Sequence, residues 1–138
     1  MALQFEIYSG SGEAIYTQIE NQLRRAIATG KLLEGQQLPS VRSLAEQLTV
    51  NPNTVSRAYA ELVTAGLLEA QPGRGVFVAP RRQIYSLEER QRRLNEAIEQ
   101  FANTAAFLDF TLPQLLKQIE SRLSDYSPTK TSKPSKKT

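Results

Sequence analysis

Residues 51 to 78, "NPNTVSRAYAELVTAGLLEAQPGRGVFV", constrain the fold more than any other stretch, because a capped helix runs directly into a short glycine-bearing hairpin. Asn51 is a strong N-cap residue, and Pro52 falls at the first helical position, where its missing N–H leaves no bond unmade. Val55, Ala58, Tyr59 and Leu62 recur at helical spacing and form an inner face, leaving Asn53, Thr54, Arg57 and Thr64 outside. The helix ends before Gly66. Leu67–Ala70 and Val76–Ala79 then flank Gln71-Pro72-Gly73-Arg74-Gly75, which reads as a hairpin with an arginine at its tip.

Two further helices precede this unit. From Glu13 to Thr29, the residues Ile15, Ile19, Leu23 and Ile27 return every fourth position, with Tyr16 and Ala26 widening the stripe and Gly30 closing it as a left-handed cap. Its polar face carries Arg24 and Arg25. The segment "KLLEGQQLPS" turns the chain, and Gln37-Leu38 within it reads as a short strand. Ser40 then caps a helix of about two turns bearing Val41, Leu44, Ala45 and Leu48. Two short helices joined by a tight turn are the helix-turn-helix signature. Three helices and a hairpin in this order predict a winged helix-turn-helix over residues 1–80. An exposed polar helix suits the major groove, where side chains reach base edges. A hairpin tip with two glycines and one cation suits the phosphates or minor groove beside it.

After Pro80-Arg81-Arg82 the pattern changes. Ser86 with Glu89 is a capping box, followed by a seam of Leu87, Leu94, Ile98, Phe101, Ala105 and Leu108. Thr111 with Gln114 repeats the box and opens a helix bearing Leu112, Leu115, Leu116, Ile119 and Leu123. Two helices are too few to bury these faces on each other, and a second copy of the chain is the economical cover. Residues 81–125 therefore read as a helical dimerisation region, with Leu94, Ile98, Phe101, Leu108, Leu112, Leu115, Leu116 and Ile119 at the contact. The fold class is mostly α with a small β-hairpin wing. Residues 126–138, rich in Pro, Ser, Thr and Lys with no apolar periodicity, read as a disordered basic tail.

Composition narrows function chiefly by exclusion. The chain has no cysteine and no histidine, so thiol nucleophiles, His-based triads and transition-metal sites lose their main residues. Up to Asp125 the only lysines are Lys31 and Lys117, and the carboxylates are scattered among basic residues; neither an enzyme nor a bound cofactor or metal is expected. The net charge of +3 is deceptive: four of the 17 basic residues, Lys130, Lys133, Lys136 and Lys137, lie beyond Asp125, and the remaining 13 face 14 acids. Affinity for phosphate has to come from arrangement. No apolar run reaches membrane-span length, and "MALQFEIYSGSG" lacks the regions of a secretory signal, so a soluble, cytoplasmic protein without a membrane partner is expected.

The residues "IYTQI", "GKL…GQQLPSVRSLA", "NPNTV", "AYAEL…GLL" and "GRGVFV", in that order over about residues 14–79, resemble the DNA-binding domain of the GntR family of bacterial transcription regulators. Most subgroups carry a large C-terminal effector or aminotransferase-like domain, and the 58 residues after Pro80 are too few for either. The short two-helix tail is similar to the YtrA-type subgroup, whose members are homodimers that commonly repress transporter operons. The resemblance implies operator double-stranded DNA as partner. It also implies DNA contacts at Arg42, Asn53, Thr54, Arg57 and the wing Gly73-Arg74-Gly75. Many family members place an arginine just inside the recognition helix for guanine readout. Here that position is Pro52, as is usual in the YtrA-type pattern, so the wider family's base preference does not carry over. No motif specifies a small-molecule effector.

A winged helix used as a protein-interaction module is the competing class. The near-zero charge of the body favours it. It would, however, require an apolar outer face on residues 53–64, and that face is polar.

Overall fold

The computed structural model describes residues 4–126, and the chain divides between Arg82 and Gln83 into two compact units. In the first, helices α1 (Ile15–Ala28), α2 (Val41–Leu48) and α3 (Pro52–Thr64) precede an antiparallel hairpin of β1 (Leu68–Gln71) and β2 (Gly75–Val78). In the second, α4 (Leu87–Ala105) is followed by α5 (Leu112–Tyr126). The architecture is a winged helix-turn-helix followed by two helices, mostly α with one small hairpin. The expected basic tail lies, from Ser127 on, outside the described residues.

One core organises the first unit. Ile19 and Leu23 of α1, Leu44 of α2, and Val55, Ala58 and Leu62 of α3 are sealed from water, with Leu68 and Val78 closing the core from the hairpin. Tyr59 is buried too, and its hydroxyl donates to the Pro39 carbonyl at 2.7 Å, so its one polar atom is not orphaned. Burial pushes that phenol well above its ordinary pKa.

Local chemistry sets the element ends. Ser40 Oγ accepts the Ser43 N–H at 3.0 Å, and Asn51 Oδ1 accepts the Asn53 N–H at 2.8 Å. Between these helices Thr49 adopts the left-handed conformation (φ 57), which makes the turn tight. The hairpin begins one residue later than the apolar pattern predicts. The Leu67 N–H is drawn back to the Leu62 carbonyl (2.9 Å), finishing α3 before the strand can start. Residues 35–38 run along the outer edge of β2: Gly35 N–H donates to Val78, Val78 N–H to Gln36 and Leu38 N–H to Val76, at 2.8–2.9 Å.

The first helix starts at Ile15 rather than Glu13: Ala14 is extended (ψ 145), and the Glu13 N–H and carbonyl are taken by Ser11 Oγ (3.1 Å) and Gln18 Nε2 (2.9 Å). Gln18 exchanges two hydrogen bonds with the Tyr8 backbone (2.8 and 2.9 Å), and Gln22 two with the Glu6 backbone (3.0 and 2.6 Å). Four helical residues rise about 6 Å, and two extended residues about 6.7 Å, so two glutamines one turn apart match alternate residues of a strand. Phe5 and Ile7, on the alternate positions, pack against the core.

In the second unit the caps form unequally. Thr111 and Gln114 make the full reciprocal box, with Thr111 N–H to Gln114 Oε1 at 2.8 Å and Gln114 N–H to Thr111 Oγ1 at 3.3 Å. Ser86 Oγ accepts the Glu89 N–H (3.1 Å), but the Glu89 carboxylate turns forward to Arg92 and Arg93, at 2.6 and 2.8 Å. Half of that expected box is replaced by ion pairs, because two guanidiniums within reach outcompete one backbone N–H. Asp109, at φ 61, supplies the left-handed step between α4 and α5.

Candidate nucleic-acid interface

The helix-turn-helix presents its polar side through α3. Burial of Val55, Ala58, Tyr59 and Leu62 fixes the rotation of that helix, leaving Asn53, Ser56 and Arg57 exposed and Thr54 half-buried. Asn53 and Thr54 stand in the first turn, their backbone N–H groups held by Asn51 Oδ1 and by the Asn51 carbonyl at 2.8 and 2.9 Å. Arg42, exposed on α2, shares a shallow depression with Glu46, Thr49, Asn51 and Pro52, so the second helix and the start of the third offer one surface.

Arg57 is engaged within the protein. Its guanidinium lies over the Tyr16 ring, 3.8 Å from the centroid, in a cation–π contact between α3 and α1. Glu20 and Glu61 border the same patch. Burial foremost, and then the charge of Glu61, raise the Glu20 carboxyl above its ordinary value, while Arg24 and Arg57 pull it back. A groove-directed Arg57 has to leave the ring. Tyr16, which widens the apolar stripe of α1, thus also carries the Arg57 guanidinium, a contact that helical periodicity does not reveal.

The wing tip is a β-turn over Gln71-Pro72-Gly73-Arg74, closed by the Arg74 N–H to the Gln71 carbonyl at 2.9 Å. Pro72 then Gly73 (φ 76) is the residue order of a type II turn, in which the third residue needs positive φ. Gly75, at φ 124, has a second requirement: a Cβ there would sit 2.5 Å from Gln37 Nε2, which donates to the Arg74 carbonyl at 2.8 Å. Gly73 is thus demanded by the turn, and Gly75 by its own backbone and by Gln37. The Arg74 side chain is exposed, its guanidinium 5.6 Å from the centre of the Phe77 ring.

The residues read as dimer contacts fall into two groups. Phe101 and Leu108 from α4 and its turn, with Leu115 and Ile119 from α5, line one cleft of about 280 Å³ that also includes Arg122. Leu94, Ile98, Leu112 and Leu116 lie outside that cleft, about half exposed or more. Ala105 is the buried residue of α4, so among the described residues the apolar side of these helices faces water in the single chain.

Comparison with known proteins agrees with this geometry. Residues 15–78 match the family of bacterial regulatory proteins described as the gntR family. The chain is 35% identical over 111 residues to the HTH-type transcriptional regulator YhcF of Bacillus subtilis, covering 80% of this chain and 91% of that one. It is 33% identical over 115 residues to the HTH-type transcriptional repressor YtrA of the same organism, covering 83% and 88%. Among solved structures it is similar to a transcriptional antiterminator from Listeria monocytogenes, with a TM-score of 0.79 and 27% identity over 89% of this chain and 92% of that one. The family and these relatives are transcription regulators, not enzymes. Among the described residues no helix is long and apolar enough to cross a membrane. With the likeness to YhcF and YtrA extending through the winged helix into the helices that follow it, this chain belongs to the GntR family of bacterial transcription regulators, with an N-terminal DNA-binding domain.

Proposed function

We propose that this protein is a homodimeric repressor that binds an inverted-repeat operator, possessing a DNA-binding domain over residues 1–80 and a dimerisation region over 81–125. The observation that carries the reading is the rotation of α3: Val55, Ala58, Tyr59 and Leu62 are spent on the core, and the outer side, polar apart from Ala60 and Val63, is headed by Asn53 and Thr54. In this reading Asn53 and Thr54 meet base edges, Arg42 and Arg57 meet phosphate or base, and Gly73-Arg74-Gly75 lies along the flanking backbone. Relatives that include a named repressor support the sign of regulation. The polar outer face weighs against a protein-interaction module, since a protein-binding helix would present apolar anchors there.

A two-fold protein reads two-fold DNA, so the operator carries two half-sites. Footprinting on the promoter of the chain's own operon tests this. Two symmetric protected half-sites are expected, with transcription from that promoter reduced by added protein. Protection of one asymmetric half-site would count against the arrangement.

A further inference from the structure

The hairpin that forms the wing is short, and a two-stranded hairpin alone is marginal in water. Its base is braced by the backbone bonds from residues 35–38 to Val76 and Val78. Those bonds stop before the tip. From there the bracing passes to one side chain: Gln37, bridged to Phe77 on the edge of β2, extends its amide to the Arg74 carbonyl at 2.8 Å.

This contact closes the backbone account of Arg74. Its N–H is held by Gln71 and its C=O by Gln37, so both of its peptide groups are tied to the protein. The space for the amide exists because residue 75 has no side chain: a Cβ would meet Gln37 Nε2 at 2.5 Å. Gly75 and Gln37 are two halves of one device.

We propose that Gln37 is a positioning residue that anchors the wing tip and thereby sets the direction of Arg74. The proposal rests on the reading of the wing as a DNA contact. Without the anchor the turn pivots about its strands, and the guanidinium samples directions other than the one facing the duplex. Gln37 acts through Arg74 and touches no nucleic acid itself.

Two variants separate the bond from the packing. Gln37→Ala removes the side chain. Gln37→Glu keeps the shape but replaces the N–H donor with a carboxylate that repels the Arg74 carbonyl. A neutral hydrogen bond of this kind corresponds to roughly a two- to tenfold change in an equilibrium. In the free full-length protein, both variants are expected to speed amide exchange at Arg74 and Gly75 by that factor, while exchange in α1 and α3 stays unchanged. On the operator duplex both are expected to weaken binding by a similar factor. In an Arg74→Ala background the neutral Gln37→Ala should not weaken it further. Unchanged exchange at the tip in both variants overturns the anchor. Faster exchange with wild-type operator affinity, when Arg74→Ala alone weakens binding, overturns the positioning role. Should Arg74→Ala itself leave affinity and salt dependence untouched, the DNA reading of the wing fails, and the exchange measurement decides the anchor by itself.

Discussion

At the residue scale, two of the cations proposed to meet DNA differ in what lies beside them: Arg57 stacks on the Tyr16 ring, whereas Arg74 stands at the wing tip near Phe77. Arg74 is exposed on a tethered turn, so its side chain is available to a phosphate. Replacing it with alanine should weaken binding similarly across operator sequences and lower the slope of log K against log salt by roughly one per subunit. Asn53→Ala and Thr54→Ala should instead change which bases are tolerated, at about 1–3 kcal/mol per lost base contact. Binding selections on randomised half-sites, repeated at two salt concentrations, distinguish the two patterns. Arg74→Ala relaxing preference at one base pair would mean that the wing reads sequence. Glu89 makes a residue-scale prediction of another kind. The hydrogen bond and charge of Arg92, helped by Arg93, hold its carboxyl at about 2. That is below its unfolded value, so its contribution to the start of α4 is present above pH of about 4.5 and is lost as pH falls toward about 2. Carbon-detected titration of the Glu89 carboxyl should show this low midpoint, and Arg92→Ala should move it upward toward the ordinary glutamate value. An unmoved midpoint in that variant would remove Arg92 as the cause.

At the element scale, the caps and the core contribute by separable amounts. Asn51 Oδ1 satisfies an N–H at the start of α3, and an N-cap replaced by alanine costs about 0.5–2 kcal/mol. Leu62, fully buried on the same helix, should cost about 2–5 kcal/mol when cut to alanine, because a cavity is added to the lost transfer energy. Denaturant melts of Asn51→Ala and Leu62→Ala should therefore fall in that order. The reverse order would mean that the helix start, not the core, limits the stability of the winged helix. The same comparison bears on function, since the turn that Asn51 ends also sets the position of Asn53 and Thr54.

At the scale of the whole molecule, the apolar sides of α4 and α5 dominate the argument. Ile98, Phe101 and Leu116 are about half exposed in the single chain. Burying such a side chain contributes about 1.5–3 kcal/mol, so a handful per subunit outweighs an association cost on the order of 4–15 kcal/mol. The double variant Ile98→Gln with Phe101→Gln should sediment as a monomer and bind the operator more weakly by orders of magnitude. Its winged helix, whose core holds neither residue, should keep its native melting behaviour. A double variant that still sediments as a dimer would locate the interface elsewhere.

Helix placement, caps and the buried stripes were legible in the sequence because they depend on local chemistry. Periodicity of 3.6 residues selects the inner face of α3, and Ser40, Asn51 and Thr111 cap where their spacing says they should. The ordered motifs also carried the family. What the sequence could not show depends on which residues meet after folding. Gln18 and Gln22 holding residues 6 and 8, Tyr16 beneath Arg57, and Glu89 turned to Arg92 and Arg93 are pairings that periodicity leaves open. The wing glycines illustrate the division most clearly. Sequence placed both in a hairpin tip suited to DNA, and tertiary structure separates their tasks, giving Gly73 to a positive-φ turn and Gly75 to the space occupied by Gln37. Gln37 and Gly75 are brought together by an edge of β2 that residues 35–38 complete, and a contact between residues so far apart in the chain exists only once that edge has formed.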